Sequence, residues 1–508
     1  MSGRTGIRRA AILAASVSLV LVPAPVAQAG PTGLNGPALA KKLTKNVTLE
    51  GVNRHLIAFQ RIADRNGGNR AAGTTGYDAS VEYVAGRLRG AGFDVSTPEF
   101  TYQVQVTDAA VAKVGATTYE NIPMTFSPQT PVGGVTGTLR AVPEDATPGC
   151  EASDFAGQAF AGAIALIRRG GCTFDIKHRN AAAAGAIAVI VANNTAGPLS
   201  GVTLGSAGLV PTGGVSQADG TALFGQAGQA VTVELRFHQE DRVSRNVIAQ
   251  TRTGRKDNVV FGGAHLDSVP AGAGINDNGT GSAGLLETAL QLGGSPKVNN
   301  AVRFGWWGAE ELNLLGSTAY VRSLTFEQQL DIALYLNFDM IGSPNAGYFV
   351  YDGDNSDGVG AGAGPYGSAQ IEKSFVDYLT LEKRIPVEGT DFTGRSDYGE
   401  FIRQGIPAGG LFTGAEVLKT PEQVAKWGGT AGIAYDPNYH GVGDNLGNVD
   451  RRALDRNSDA LAWVTASYAV STEDVNGVPA RSSRAAVRSA EVRTLHIEDH
   501  DHSHDAVA

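Results

Sequence analysis

Val259-Val260-Phe261-Gly262-Gly263-Ala264, followed at once by His265-Leu266-Asp267-Ser268, decides the fold of this chain. The first six residues are apolar or glycine throughout, without the alternation of a half-wetted strand. Three similar runs follow, Val302 to Trp307, Leu334 to Phe338 and Ala408 to Phe412, with helical stretches between them. Continuous apolar strands separated by helices predict an α/β fold, a mostly parallel mixed sheet covered on both faces. In such sheets, sites form beyond the carboxyl ends of the strands.

Those ends are where ionisable residues collect. Val259–Ala264 runs into His265 and Asp267, Val302–Trp307 into Glu310-Glu311, and Leu334–Phe338 into Asp339. The loop Gly274 to Gly279 adds Asp277, and Asp436-Pro437-Asn438-Tyr439-His440 adds a second histidine. Singly, each has an ordinary explanation: a strand-end histidine in the core, a turn aspartate, a helix N-terminal charge pair, a cap. Together, acids converging on one sheet edge would repel one another without a counter-ion. Imidazole and carboxylate donors suit zinc.

Upstream, Val81, Val84 and Leu88 fit one amphipathic helix stopped at Gly90, and an extended stretch begins at Phe93. Residues 131–240 have another texture, with short β-rich runs such as Ala163 to Ile167 and Ala186 to Val191 between glycine-rich turns. Residues 1–29 read as a signal peptide: Arg4, Arg8 and Arg9, the apolar run Ala10 to Val22, then Ala27-Gln28-Ala29. That predicts a secreted, extracellular protein without a membrane anchor. Residues 30–44 read as a linker, and residues 473–508, ending in a His-rich tract from His496, as a disordered tail. The net charge of −9, with no basic stripe beyond the N-terminus, argues against nucleic acid as a partner. Cys150 and Cys172, the two cysteines, read as one disulfide in an exported chain, a thiol nucleophile being the alternative.

Several short motifs carry a resemblance: Asn66-Gly67-Gly68-Asn69-Arg70, Tyr77 to Val81, Ala264-His265-Leu266-Asp267-Ser268, Asn276-Asp277-Asn278-Gly279, Glu310-Glu311, Asn337-Phe338-Asp339-Met340, Gly394-Arg395-Ser396-Asp397 and Tyr439-His440. In combination the chain resembles the M28 family of zinc aminopeptidases, most closely its secreted Streptomyces members. The resemblance implies a zinc-peptidase fold split between residues 45–130 and 241–472. It implies two zinc ions, one on His265 and Asp339 and the other on Glu311 and His440, with Asp277 bridging. It makes Glu310 the general base and Tyr439 the donor to the developing oxyanion, with the Asp267 carboxylate orienting His265. Met340, Gly394, Arg395 and Phe412 would surround the first substrate residue, Arg395 at the rim, in a pocket for large apolar side chains such as leucine. Peptides with a free N-terminus are the implied substrates, and a monomer the implied state.

Gly171-Cys172-Thr173-Phe174, Lys177 and Asn180 to Ala186 resemble a protease-associated (PA) domain, inserted at 131–240 as a wall of the cleft or a passive spacer. Two other readings keep the same metal core, a carboxypeptidase and a glutaminyl cyclase. A third is a non-catalytic binding ectodomain, although such relatives lose metal ligands that this chain keeps. Asp455 and Asp459 share a helix face, and a similar pair in the Streptomyces enzymes helps hold calcium. The nearest partner here, Asn46, lacks the charge, so weak calcium binding or none is expected.

Overall fold

The computed structural model describes residues 35–199, 202–360, 362–472 and 478–490. Two eight-stranded mixed sheets organise them. In the first, Asn300–Trp307, Arg255–His265, Ile332–Phe338 and Ala408–Phe412 lie side by side and parallel. These are the four apolar runs of the sequence, each extended by at most a few residues. Helices cover both faces. Gly281–Leu292, Arg451–Val470, Leu49–Arg65 and Thr75–Gly90 pack on one side, and Leu315–Ser323 and Tyr398–Arg403 on the other. Val81, Val84 and Leu88 are buried in the first layer.

The second sheet holds the β-rich insertion. Its core strands Ile164–Arg168, Ala188–Ala192 and Thr212–Val215 are parallel. The sheet reaches further than residues 131–240. Glu99–Val114 pairs with Ala230–Arg245 along nearly its whole length, so the strands leading in and out form one ribbon. Half-buried alternation along both strands is what a two-stranded ribbon produces. Cys150 and Cys172 are disulfide-bonded within this unit.

Both terminal expectations need correction. The supposed linker at 30–44 contains most of the helix Gly36–Asn46, capped by the Asn35 side chain, which accepts from Ala38 N–H. Its Ala40 and Leu43 are buried against the core, and the helix packs on Arg451–Val470. The supposed disordered tail contains the helix Arg481–Ala490, docked through two buried guanidinium groups. Arg484 donates to Leu330 O (2.8 Å), and Arg488 to Gln329 O and Ile332 O (both 2.8 Å). These carbonyls lie at the C-terminal end of Phe326–Asp331, where a helix presents acceptors without partners. The signal peptide and the His-rich tract lie outside the described residues. Lys383 donates to Asp459, so an ammonium occupies part of the face considered for calcium.

Arg484→Ala should therefore destabilise the fold by roughly 1–3 kcal/mol, since buried carbonyls lose their donor. Urea unfolding of the full chain checks this; an unchanged midpoint and slope would show that the tail helix contributes nothing.

Candidate active site

Because the four central strands are parallel, their carboxyl ends share one sheet edge, and the chain leaves three of them with an ionisable side chain. His265 ends its strand, Glu310 and Glu311 follow Trp307 by three and four residues, and Asp339 follows Phe338 directly. Asp277 comes from the wide turn Ile275–Thr280, where its backbone leaves helical geometry before Gly281–Leu292 begins. Ala309, Met340 and His440 take left-handed conformations (φ 55°, 47° and 55°). Each is a site residue or adjoins one, and such conformations cost of order 1–3 kcal/mol, so surrounding packing has to hold these turns.

His265 Nε2 lies 3.1 Å from Asp277 Oδ1, 3.4 Å from Asp339 Oδ1 and 3.8 Å from Glu310 Oε2. His440 Nε2 lies 3.3 Å from Asp277 Oδ2 and 3.0 Å from Glu311 Oε2. Asp277 thus turns one oxygen to each imidazole. His265 Nδ1 donates to the main-chain carbonyl of Asp267 (3.2 Å), which directs Nε2 toward the acids. The Asp267 carboxylate lies further from Nδ1, at 3.6 Å, and accepts instead from Glu310 N–H (3.2 Å) and Glu311 N–H (3.4 Å). Residue 267 thus faces His265 with both its carbonyl and its carboxylate, and the carboxylate also holds the backbone of the two glutamates.

The five proposed ligands, Glu310, Tyr439, Met340, Arg395 and Phe412 all line one cavity of ≈ 200 Å³. Gly394 does not line it; its N–H donates to the Tyr398 hydroxyl (3.0 Å). Its place in the wall is taken by neighbours the sequence did not single out. Tyr351, Tyr398, Ala415 and Val417 are the apolar part, and Thr390, Asp391, Thr393 and Ser396 the polar part. Arg395 bridges Glu416 (2.7 Å) and the Tyr439 hydroxyl (3.2 Å). Asp444 was also missed: its carboxylate accepts from the backbone N–H of Asn276 (2.6 Å) and Asp277 (3.0 Å), tying the His440 loop to the Asp277 turn. The one sequence signal was its place four residues after His440.

Residues 246–465 match peptidase family M28, and residues 135–223 match the PA domain. The probable lipoprotein aminopeptidase LpqL of Mycobacterium tuberculosis is 48% identical over 459 residues, covering 89% of this chain and 91% of that protein. The chain belongs to peptidase family M28. It is a zinc metallo-aminopeptidase. A relative described as an aminopeptidase, from Pseudomonas aeruginosa, is 44% identical over 92% of this chain and 89% of its own. A solved zinc aminopeptidase from Bacillus subtilis superposes with a TM-score of 0.64 at 25% identity, covering 87% of this chain and 97% of that one.

The side chains of this M28 peptidase fit zinc. The donors are imidazole nitrogen and carboxylate oxygen, with no thiolate among them. Ser396 donates to Asp339 Oδ2 (2.7 Å), leaving Oδ1, buried and without a hydrogen-bond partner, beside His265. Glu311 Oε1 is likewise buried without a partner.

In the absence of a cation these groups compete for protons. Burial pushes Glu310 well above the usual carboxylate range; His265 opposes this, but Asp339, Asp397 and Glu311 add to it. Burial and the neighbouring Asp277 raise Glu311 to about 7, and burial raises Asp397 to about 8. Burial works against a charged His440, yet hydrogen bonds to Asp277 and Glu311 outweigh it and raise the ring to about 10. The metal-free cluster therefore holds protons at neutral pH that a dication must displace. Zinc uptake at pH 7 should release protons, and apparent affinity should fall as the pH drops from 8 to 6. Calorimetry in buffers of different ionisation enthalpy checks this; uptake with no proton release would contradict the protonated cluster.

Proposed function

We propose that the chain is an exported aminopeptidase with two zinc ions, which cleaves the first peptide bond of peptides beginning with large apolar residues such as leucine. The division of the two Asp277 oxygens between His265 and His440 supports the dinuclear reading most strongly. In this reading His265 and Asp339 hold one ion, Glu311 and His440 the other, and Asp277 bridges. Bound there, the ions would polarise the scissile carbonyl and lower the pKa of the attacking water.

The remaining work falls to the chain itself. Glu310 is buried beside this cluster and has a raised proton affinity, which suits a group that takes a proton from the attacking water and passes it to the leaving amine. Tyr439, held by Arg395, donates to the carbonyl oxygen as charge develops on it. The surplus of carboxylates favours a free, positively charged α-amino group and so selects an N-terminus. Met340, Tyr351, Phe412 and Val417 give the first side chain an apolar wall. Export rests on the N-terminal signal-peptide pattern and on the relative described as a lipoprotein aminopeptidase. No helix among the described residues is long and apolar enough to cross a membrane.

Glu310→Ala should retain both zinc ions and lose roughly 10²–10⁴-fold in kcat, the usual worth of a general base. Glu311→Ala should lose metal together with activity. Zinc counted by mass spectrometry beside the turnover assay separates the roles; loss of zinc from Glu310→Ala would make that residue a ligand.

Specificity constants for leucine and alanine p-nitroanilides should differ by roughly one to two orders of magnitude, from about 0.8 kcal/mol for each buried methylene. N-acetylation of the leucine substrate should abolish cleavage. A lysine or glutamate preference would refute the apolar pocket while leaving the zinc chemistry intact.

A further inference from the structure

Arg70 belongs to no proposed ligand set, yet it is 0% exposed and lies beneath the site. Its hydrogen bonds go to main-chain carbonyls. Nε donates to Ala273 O (2.9 Å), and the two terminal nitrogens donate to Leu266 O and Gly274 O. Leu266 is the residue after His265, and Gly274 lies three residues before Asp277. One planar side chain thus spans the strand end that carries one ligand and the loop that carries the bridging ligand. The backbone joins the same segments, with Arg70 N–H donating to Ser268 Oγ (3.0 Å) and Ser268 N–H to Arg70 O (3.3 Å). The guanidinium lies over the Phe59 ring, 5.0 Å from its centroid.

The loop packs closely here: a Cβ placed at Gly274 would stand 2.3 Å from Ser268 Cβ, 2.6 Å from Asp277 O and 3.2 Å from the outer guanidinium nitrogen. Burying a lone cation is costly. Here burial lowers its pKa only to about 10, because Asp444, Asp267, Asp277 and Glu311 favour the charged form. The cation in turn offsets repulsion among those acids. Lysine would keep the charge but not the flat three-carbonyl tie.

We propose that Arg70 is a positioning residue of the metal centre: its guanidinium fixes the reach between His265 and Asp277 and supplies a permanent positive charge behind the ligands. This rests on the two-zinc reading above. The test compares full-length wild type, Arg70→Lys and Phe59→Leu. Zinc affinity is measured by chelator competition, kcat and KM at saturating zinc, and metal–metal coupling in the dicobalt form by electron paramagnetic resonance. Arg70→Lys should bind zinc about 10–100-fold more weakly, as loss of an outer orienting partner does. Its kcat should fall with KM nearly unchanged, and its cobalt coupling should be altered. Phe59→Leu, which keeps the guanidinium but removes its support, should shift all three in the same direction by less, and it carries the test if Arg70→Lys does not fold. Wild-type zinc affinity and coupling in a folded Arg70→Lys would overturn the proposal. So would a Phe59→Leu protein that loses thermal stability with its metal binding unchanged. If wild type binds a single zinc, the dinuclear reading falls, while the same titration still shows whether Arg70 governs the ion that remains.

Discussion

Four carboxylates, Asp277, Glu310, Glu311 and Asp339, meet two imidazoles at one sheet edge, and the rest of the structure answers to their mutual repulsion. Two like charges 4 Å apart cost about 4 kcal/mol at an effective dielectric constant of 20. A protein that relied on side-chain flexibility would let them separate. This one holds them from behind. The Asp267 carboxylate grips the backbone of both glutamates, Asp444 grips the backbone at Asp277, and Ser396 pins Asp339. These restraints leave Asp339 Oδ1 and Glu311 Oε1 buried without a hydrogen-bond partner. A preorganised arrangement of this kind spends folding stability in advance, so that little rearrangement is needed when metal and substrate arrive.

Chain topology makes this possible. Parallel strands deliver their carboxyl ends to a common edge, so residues as distant in sequence as His265, Glu311 and Asp339 become neighbours without any long-range side-chain code. The His440 loop closes the cluster, and it is held by two aspartates of its own: Asp444 on the turn backbone and Asp436 on the Asn276 side chain. The β-rich insertion leaves this arrangement undisturbed because it joins the first sheet's chain through one paired ribbon, Glu99–Val114 against Ala230–Arg245.

What could be read from sequence follows the same physics. The central strands were legible because doubly covered strands must be apolar along their length, and Ala408–Phe412 has the same limits in sequence and structure. The convergence of ionisable side chains at one sheet edge was legible because acids at strand ends are conspicuous. Residues that act through main-chain atoms were not. Arg70 and Asp444 bind carbonyls and amides, which every residue possesses, so no pattern of side chains announces the partnership. Gly394 was assigned to the pocket wall by resemblance, although its amide is committed to Tyr398. The tail was read as disordered from its polar composition, which conceals that Arg481, Arg484 and Arg488 recur at helical spacing and meet carbonyls and carboxylates. A buried guanidinium that satisfies backbone acceptors looks, in sequence, like any solvated charge.

The central claim is that one carboxylate is shared between two metal positions. Anomalous diffraction from crystals of the zinc-loaded protein, collected on both sides of the zinc absorption edge, tests it directly. The account predicts two peaks flanking the Asp277 carboxylate, one beside His265 and Asp339 and the other beside His440 and Glu311. A single peak, or a second one away from Asp277, would contradict it.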